Sequence, residues 1–99
     1  MFKIENKNIT INKGDFGLEL PMTISNILDT DVIKFEIYDV NGKLILEKNL
    51  PYRDGTFIFE LTKEESDSLE EKNYMYKVVQ YRNDIMQNTI NEDSLFKVV

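Results

Sequence analysis

The chain has 99 residues, of which 41% are hydrophobic and 30% charged, and it is expected to fold as one globular domain over residues 1–99. It contains no histidine and no cysteine, which excludes disulfides, the usual zinc sites and the Ser-His-Asp and Cys-His catalytic arrangements, so we expect no enzyme, no cofactor and no bound metal. Its net charge of −6 disfavours nucleic acid and anionic membranes as partners.

Strands are predicted along most of the chain, because apolar residues alternate with polar ones at a period of two. Such alternation is typical of antiparallel sheets that have one face in water. Pro21 is expected at the end of a strand or in an edge strand, since proline has no N–H to donate to a neighbouring strand. The alternating segments are residues 16–20, 33–37, 44–46, 57–61, 74–78 and 96–98.

Turn residues separate these segments. The first turn is predicted around Gly14. Asn41-Gly42 lies between two strands, and this dipeptide predicts a two-residue type I′ hairpin, in which both residues have positive φ. Asp54-Gly55 predicts a further turn.

One segment, residues 62–69, does not follow the strand pattern and predicts a short helical turn. Thr62 is a suitable N-cap, and Glu65 three residues later completes a capping box. Leu69 is expected to anchor this turn to the core. Residues 82–94 are mostly polar and predict a weak strand and hairpin near an edge. Seven or eight strands with one helical turn indicate an all-β fold, a sandwich of two antiparallel sheets.

Two acidic loops carry carboxylates of the kind that bind metal ions. Asp39 to Gly42 resembles the start of a calcium loop, but apolar strand residues follow directly, which favours a hairpin. Asp29 and Asp31 form a second acidic pair, for which solvated loop carboxylates are the favoured interpretation over a weak divalent-ion site.

Several apolar residues occupy strand positions that alternate with the core-facing ones and should therefore point away from the core. Together they form a candidate interaction surface. An exposed apolar patch of this kind marks a protein partner more often than a sugar site. It is an equally good interpretation that edge loops cover these residues or that a β-bulge changes which face of the strand they lie on. The residues are Tyr38, Val40, Met75, Val79 and Tyr81.

The chain resembles the immunoglobulin-like domains of phage tails and baseplates, the group related to baseplate upper-protein N-terminal domains. The resemblance lies in short segments that follow the family's order. They are Ile11-Asn12-Lys13-Gly14-Asp15, the run from Phe57 to Glu65 with Leu69 after it, Tyr74, Tyr76 and Val78, Thr89-Ile90, and Phe96-Lys97-Val98.

The resemblance implies an immunoglobulin-like sandwich that acts as a structural or protein-interaction component of a phage or prophage tail or baseplate. Its partners would then be other virion proteins or further copies of itself. The alternative is a bacterial immunoglobulin-like module that binds carbohydrate or a surface protein. No signal peptide and no stretch of membrane-spanning length is apparent, so we expect the virion or the cytoplasm of the producing cell as its location.

Overall fold

The computed structural model describes residues 3–5 and 7–99. These residues form nine strands and one short helix, where the sequence predicted seven or eight strands and a helical turn. The elements in chain order are β1 (Lys3–Glu5), β2 (Asn8–Ile11), β3 (Leu20–Met22), β4 (Val32–Tyr38), β5 (Leu44–Asn49), β6 (Tyr52–Arg53), β7 (Thr56–Phe59), α1 (Lys63–Ser68), β8 (Asn73–Arg82) and β9 (Ile85–Val98).

The strands form two sheets. The large sheet has the order β1-β2-β9-β8-β4-β5, and the small sheet has the order β3-β7-β6. The strand pairs of the described residues are antiparallel with one exception, β2 and β9, which run parallel. The all-β prediction with two largely antiparallel sheets is therefore confirmed.

Both sheets contribute to one hydrophobic core, and aromatic rings join them. Phe35 of β4 stacks on Phe59 of β7 with 3.8 Å between ring centroids, so this contact connects the large sheet to the small one. Phe35 also stacks on Tyr76, at 4.8 Å, and meets Phe96 edge-on at 6.3 Å. Offset and edge-to-face contacts of this kind add to the free energy gained by burying the rings.

Two of the three tyrosines of β8, Tyr74 and Tyr76, lie in the core, as the alternation of residues 74–78 predicted. Tyr74 and Tyr76 are buried, and each hydroxyl is bonded to backbone at the margin of the core. The Tyr74 hydroxyl accepts a hydrogen bond from the N–H of Glu70 at 2.8 Å, and the Tyr76 hydroxyl donates to the carbonyl of Lys7.

The first predicted strand, residues 16–20, is wrong in its position. Extended pairing begins only at Leu20, and Phe16 is 53% exposed. Gly17 has a φ of +76° and donates its N–H to the carbonyl of Leu61, so the backbone turns away from an extended path just where the alternation indicated one. The prediction for Pro21 is confirmed, because it lies in β3 at the edge of the small sheet.

The hairpin at Asn41-Gly42 is confirmed, but its predicted turn type is wrong. Gly42 has a φ of +85°, whereas Asn41 is not at positive φ, and the Gly42 N–H donates to the Asp39 carbonyl at 3.0 Å. The Asp39 carboxylate accepts from the backbone N–H groups of Asn41 and Lys43, both at 2.9 Å. This side chain therefore stabilises a longer turn, and its oxygens serve the turn itself.

Two other dipeptides form turns with positive φ at both residues. Asp54 and Gly55, at +52° and +85°, join β6 to β7. Asn83 and Asp84, at +52° and +63°, join β8 to β9. Both connections have two residues, as type I′ hairpins require. The second hairpin corrects the expectation for residues 82–94, because β9 is a long strand paired with β8, with β2 on its other side at residues 96–98.

Helix α1 follows the predicted capping box. The Thr62 hydroxyl accepts from the Glu65 N–H at 3.2 Å, and the Glu65 carboxylate accepts from the Thr62 N–H at 2.8 Å. Leu69 at the end of the helix is 1% exposed and lies in the core, as predicted. Lys48 of β5 donates to the Glu65 carboxylate at 2.7 Å, which attaches the helix to the edge of the large sheet. In the described part of the chain this six-residue helix is the only one, and it is too short to cross a membrane.

Replacing Ser66 by alanine is expected to stabilise the protein. Its hydroxyl is buried with no hydrogen-bond partner among the described residues, and alanine also has the higher helix propensity. Removing an unsatisfied buried hydroxyl should raise the free energy of unfolding by about 1 kcal/mol, measured by urea denaturation. The control is Ser68→Ala, because the exposed Ser68 hydroxyl donates to the Glu65 carbonyl. A loss of stability in Ser66→Ala would contradict this account.

Candidate functional site

The residues of the predicted interaction surface lie mostly on the outer face of the large sheet. Opposite residues of antiparallel strands share a face. Tyr38 of β4 is opposite Met75 of β8, and Val79 and Tyr81 follow on the same side of β8. Tyr38, Met75 and Tyr81 are half-buried. The sequence parity therefore placed these four side chains on the correct face.

One end of this face carries an apolar row that crosses four strands. Tyr38 and Met75 form its centre, Leu44 of β5 is opposite Tyr38, and Leu95 of β9 is opposite Met75. We call these four residues the first apolar row. Val40 continues it into the β4–β5 turn and is 75% exposed. Tyr38 and Met75 are thus brought together, and Val40 follows in the adjacent turn.

The alternating pattern predicts that Leu44 and Leu46 lie on the same core face, and this prediction is wrong for Leu44. Ile37 pairs with Leu46 and Tyr38 with Leu44, so Ile45 is an extra residue that forms a β-bulge. The bulge leaves Leu46 packed against the core and places Leu44 on the outer face, where it is 43% exposed. No sequence signal announces a bulge here, which is why this residue was missed.

A charged band lies next to the first apolar row. Lys34 donates to Glu47 at 3.1 Å across β4 and β5. The Tyr38 hydroxyl donates to the buried Glu36 carboxylate at 2.8 Å, and the ammonium group of Lys77 lies 5.3 Å from the centre of the Tyr38 ring. Burial, together with this hydrogen bond, raises the pKa of Tyr38 to about 12. The band is therefore neutralised internally and holds Tyr38 in one orientation.

Val79 is not part of an exposed surface, because it is only 2% exposed. It lies in the middle of the sheet, with Lys34 of β4 on one side and Thr89 of β9 on the other. The Lys34 ammonium reaches to 4.9 Å from the centre of the Tyr81 ring, so side chains rather than solvent surround Val79. The expectation that Val79 contributes to an outer patch is corrected accordingly.

Tyr81 belongs to the opposite end of the face. It is paired with Val32 of β4 and Met86 of β9, which are 36% and 57% exposed. The predicted patch is thus divided into two apolar ends with charged side chains between them.

The acidic pair Asp29 and Asp31 does not offer two free carboxylates. The Asp31 side chain has no exposed area, and it accepts hydrogen bonds from Arg82 Nε at 2.8 Å and Arg82 Nη2 at 2.9 Å. It also accepts from the Gln80 side chain at 2.8 Å and the Leu28 N–H at 2.9 Å. The Arg82 guanidinium and the Leu28 N–H lower the pKa of Asp31 well below its usual range. Within the described ranges no group of three or more acidic side chains is arranged to hold a metal ion.

Comparison with known proteins adds no relative. The chain matches no model of a known protein family, no curated protein and no solved structure.

Proposed function

We propose that the chain is a non-enzymatic protein-interaction module with an immunoglobulin-like sandwich fold. In that fold strands G, F, C and C′ lie side by side in one sheet, and strands B, E and D lie in the other. The order β9-β8-β4-β5 in the large sheet and β3-β7-β6 in the small sheet supports this assignment. Chain order agrees as well, because β3 to β9 then correspond to B, C, C′, D, E, F and G.

A second support is the hydrogen bond of Tyr74. Immunoglobulin-like domains carry a tyrosine corner, in which a tyrosine near the start of strand F bonds through its hydroxyl to backbone a few residues upstream. Tyr74 is the second residue of β8, the strand assigned to F, and its hydroxyl is bonded to the N–H of Glu70. The connection that precedes it contains α1, at the position of the E–F corner.

The segments that carry the family resemblance also contact one another. Lys13 donates through its ammonium group to the carbonyls of Leu69 at 2.6 Å and Asp67 at 3.0 Å, at the C-terminal end of α1. Its N–H donates to the carbonyl of Val99. A cation at the carbonyl end of a helix is electrostatically favourable. One residue of the first motif thus contacts both the helical turn and the residue that follows the last strand, and this supports the proposal.

The proposed role is that of a phage or prophage tail or baseplate component, whose partners are other virion proteins or further copies of this chain. The observation that carries the interaction role is the first apolar row together with the exposed Val40. Leu44 and Val40 are accessible there on the edge strand and turn of the large sheet. An apolar surface at a sheet edge can bind a partner through side chains and also through unpaired backbone groups.

The phage assignment is tested by the genes beside the one that encodes this chain. Tail, baseplate or tape-measure genes in the same operon are the expected result. An operon of polysaccharide-export or surface-anchoring genes would contradict the assignment and favour the bacterial alternative.

The interaction surface is tested by assembly. The chain should form a defined oligomer in light scattering or co-purify with the product of a neighbouring gene when both are expressed together. The double variant Leu44→Ser, Met75→Ser should weaken the association at least about tenfold while remaining folded by circular dichroism. The control Met86→Ser removes an exposed apolar side chain opposite Tyr81, at the other end of the same face, and should leave the association unchanged. Equal effects of the two variants would show that the first apolar row is not the contact.

A further inference from the structure

Tyr52 is an exposed aromatic side chain that contacts the edge of the core. It lies in the two-residue strand β6 at the edge of the small sheet and is 65% exposed. Its ring meets that of Phe57, its partner in β7, edge-on at 5.1 Å. Phe57 is buried in the core, so one side of the tyrosine contacts the core while the rest faces solvent. An aromatic ring presented in this way is a platform for stacking.

Tyr52 lines two clefts. The first has a volume of about 460 Å³ and is lined by the buried Ile58 and by polar side chains that include Glu19, Asn49 and Arg53. Arg53 and Glu19 form an ion pair at 2.7 Å, which keeps both in place. Their carboxylate, amide and guanidinium groups are planar and offer paired hydrogen-bonding atoms.

The second cleft, of about 310 Å³, lies between Tyr52 and the loop that connects β3 to β4. Ile24 and Ile27 form its apolar part and pack against the core, and Asn26 and Asp29 supply polar groups. The buried Asp31 fixes this loop to β8 through Arg82 and Gln80. The cleft is therefore preformed, as small-ligand sites usually are.

The charges around Tyr52 select the class of ligand. Lys48 and Arg53 are already engaged by Glu65 and Glu19. In contrast, no cation of the described residues pairs with the carboxylate of Asp29. Among its described lining residues the first cleft thus offers no cation that is not already ion-paired, and the second carries an unpaired carboxylate, which disfavours phosphate, nucleic acids and acidic sugars as ligands.

We propose that Tyr52 and its two clefts bind a neutral oligosaccharide. One sugar ring would stack its C–H face on Tyr52, and the neighbouring rings would occupy the clefts, with hydroxyls bonded to Asn49 and Arg53 on one side and to Asp29 on the other. A ligand of several linked rings explains why one aromatic ring stands between two polar-lined clefts. This activity goes beyond the proposed protein-interaction role and uses the other sheet.

The test is native gel electrophoresis in gels that contain a soluble polysaccharide, which the net charge of −6 makes practicable because the chain migrates towards the anode. The probes are hydroxyethyl cellulose, galactomannan and glycogen as neutral polymers, and alginate as an acidic one. Migration should be retarded by at least one neutral polymer and not by alginate. Tyr52→Ala should weaken the retardation at least about tenfold, whereas Tyr52→Phe, which keeps the ring, should retain most of it.

The thermal unfolding midpoint of Tyr52→Ala establishes that the variant is folded, and the control Met86→Ala alters an exposed side chain of the other sheet. The proposal is overturned if no neutral polymer retards the chain, if only alginate does, or if Tyr52→Ala is retarded as strongly as the parent. Because the assembly experiment uses the first apolar row, the outcome of one experiment does not decide the other.

Discussion

Replacing Phe35 by alanine is expected to lower the free energy of unfolding by about 3–5 kcal/mol, because it removes a fully buried ring and leaves a cavity. Phe35 has no exposed area, and it stacks on both Phe59 and Tyr76. The first of these contacts joins the two sheets, so the substitution should weaken their association as well as the large sheet itself. Domains of this size are stable by only about 5–15 kcal/mol, so the variant should be close to unfolding at 37 °C.

The measurement is urea denaturation followed by far-ultraviolet circular dichroism, with Phe16→Ala as the matched control. Phe16 is 53% exposed, and its truncation should cost less than about 1 kcal/mol. The two substitutions remove the same atoms, so the difference between them isolates the effect of burial. Similar losses in the two variants would mean that the aromatic stack does not join the sheets as described.

Replacing Asp31 by asparagine is expected to produce a large loss of stability near neutral pH. The carboxylate accepts two hydrogen bonds from the Arg82 guanidinium, and asparagine leaves that guanidinium without its counter-charge. It also weakens the bonds that hold Gln80 and the Leu28 N–H. Removing one charge of a partly buried ion pair lowers the free energy of unfolding strongly, because the other charge is left without its partner. The melting temperature at pH 7 should fall by several degrees.

The same substitution should also make the melting temperature depend less on pH in the acidic range. The pKa of Asp31 is lower in the folded chain than in the unfolded chain, where the pKa of an aspartate is about 3.9. Its contribution is therefore fully present above that value and is lost as the pH falls below it. In Asp31→Asn this part of the acid-induced loss disappears. A smaller acid dependence remains, because the pKa values of Asp39 and Glu65 are also lowered by their hydrogen bonds.

Thermal unfolding between about pH 3 and pH 7 measures both effects. Asp29→Asn is the control, since Asp29 lies two residues away and is exposed. It should melt within a degree or two of the parent at pH 7. An Asp31→Asn curve parallel to that of the parent throughout this range would show that the carboxylate does not titrate as described.

The period-two pattern predicted most strands because it reflects which face of a strand meets the core. Residues 33–37 and 74–78 lie within β4 and β8, and the apolar side chains at their alternating positions, from Ile33 to Ile37 and from Tyr74 to Val78, are buried. It failed at residues 16–20, where Phe16 and Leu18 alternate as in a strand although Gly17 turns the backbone. An alternating pattern specifies faces and does not exclude a local change of φ, so a short alternating loop is indistinguishable from a strand.

Turn type and register were harder to predict than strand position. Asn41-Gly42 and Asp54-Gly55 carry nearly the same turn signal, but only the second forms a two-residue turn. The difference arises from Asp39, whose carboxylate accepts two backbone N–H groups and favours the longer turn. A dipeptide rule does not include a side chain two residues earlier.

The candidate interaction surface could be predicted only in part, because the sequence pattern does not show which strands pair. Parity identified Tyr38, Met75 and Tyr81 as outward-facing, but it contains no information about which strands are neighbours. The pairing of β4 with β8, with Tyr38 opposite Met75 and Val32 opposite Tyr81, separates these residues into two ends of the sheet. Leu95 joins the first end only because β9 pairs with β8.

The parallel pairing of β2 with β9 sets the order of events during synthesis. Ile9 lies beside Phe96 and Ile11 beside Val98, and all four side chains are buried in the core. β2 therefore cannot pair with β9 until residues 96–98 have left the ribosome, and its apolar side chains stay exposed until then. Contacts between such distant segments close slowly. A nascent chain stalled before residue 96 should remain sensitive to protease and bound by chaperones, however complete its β4–β5 and β6–β7 hairpins already are.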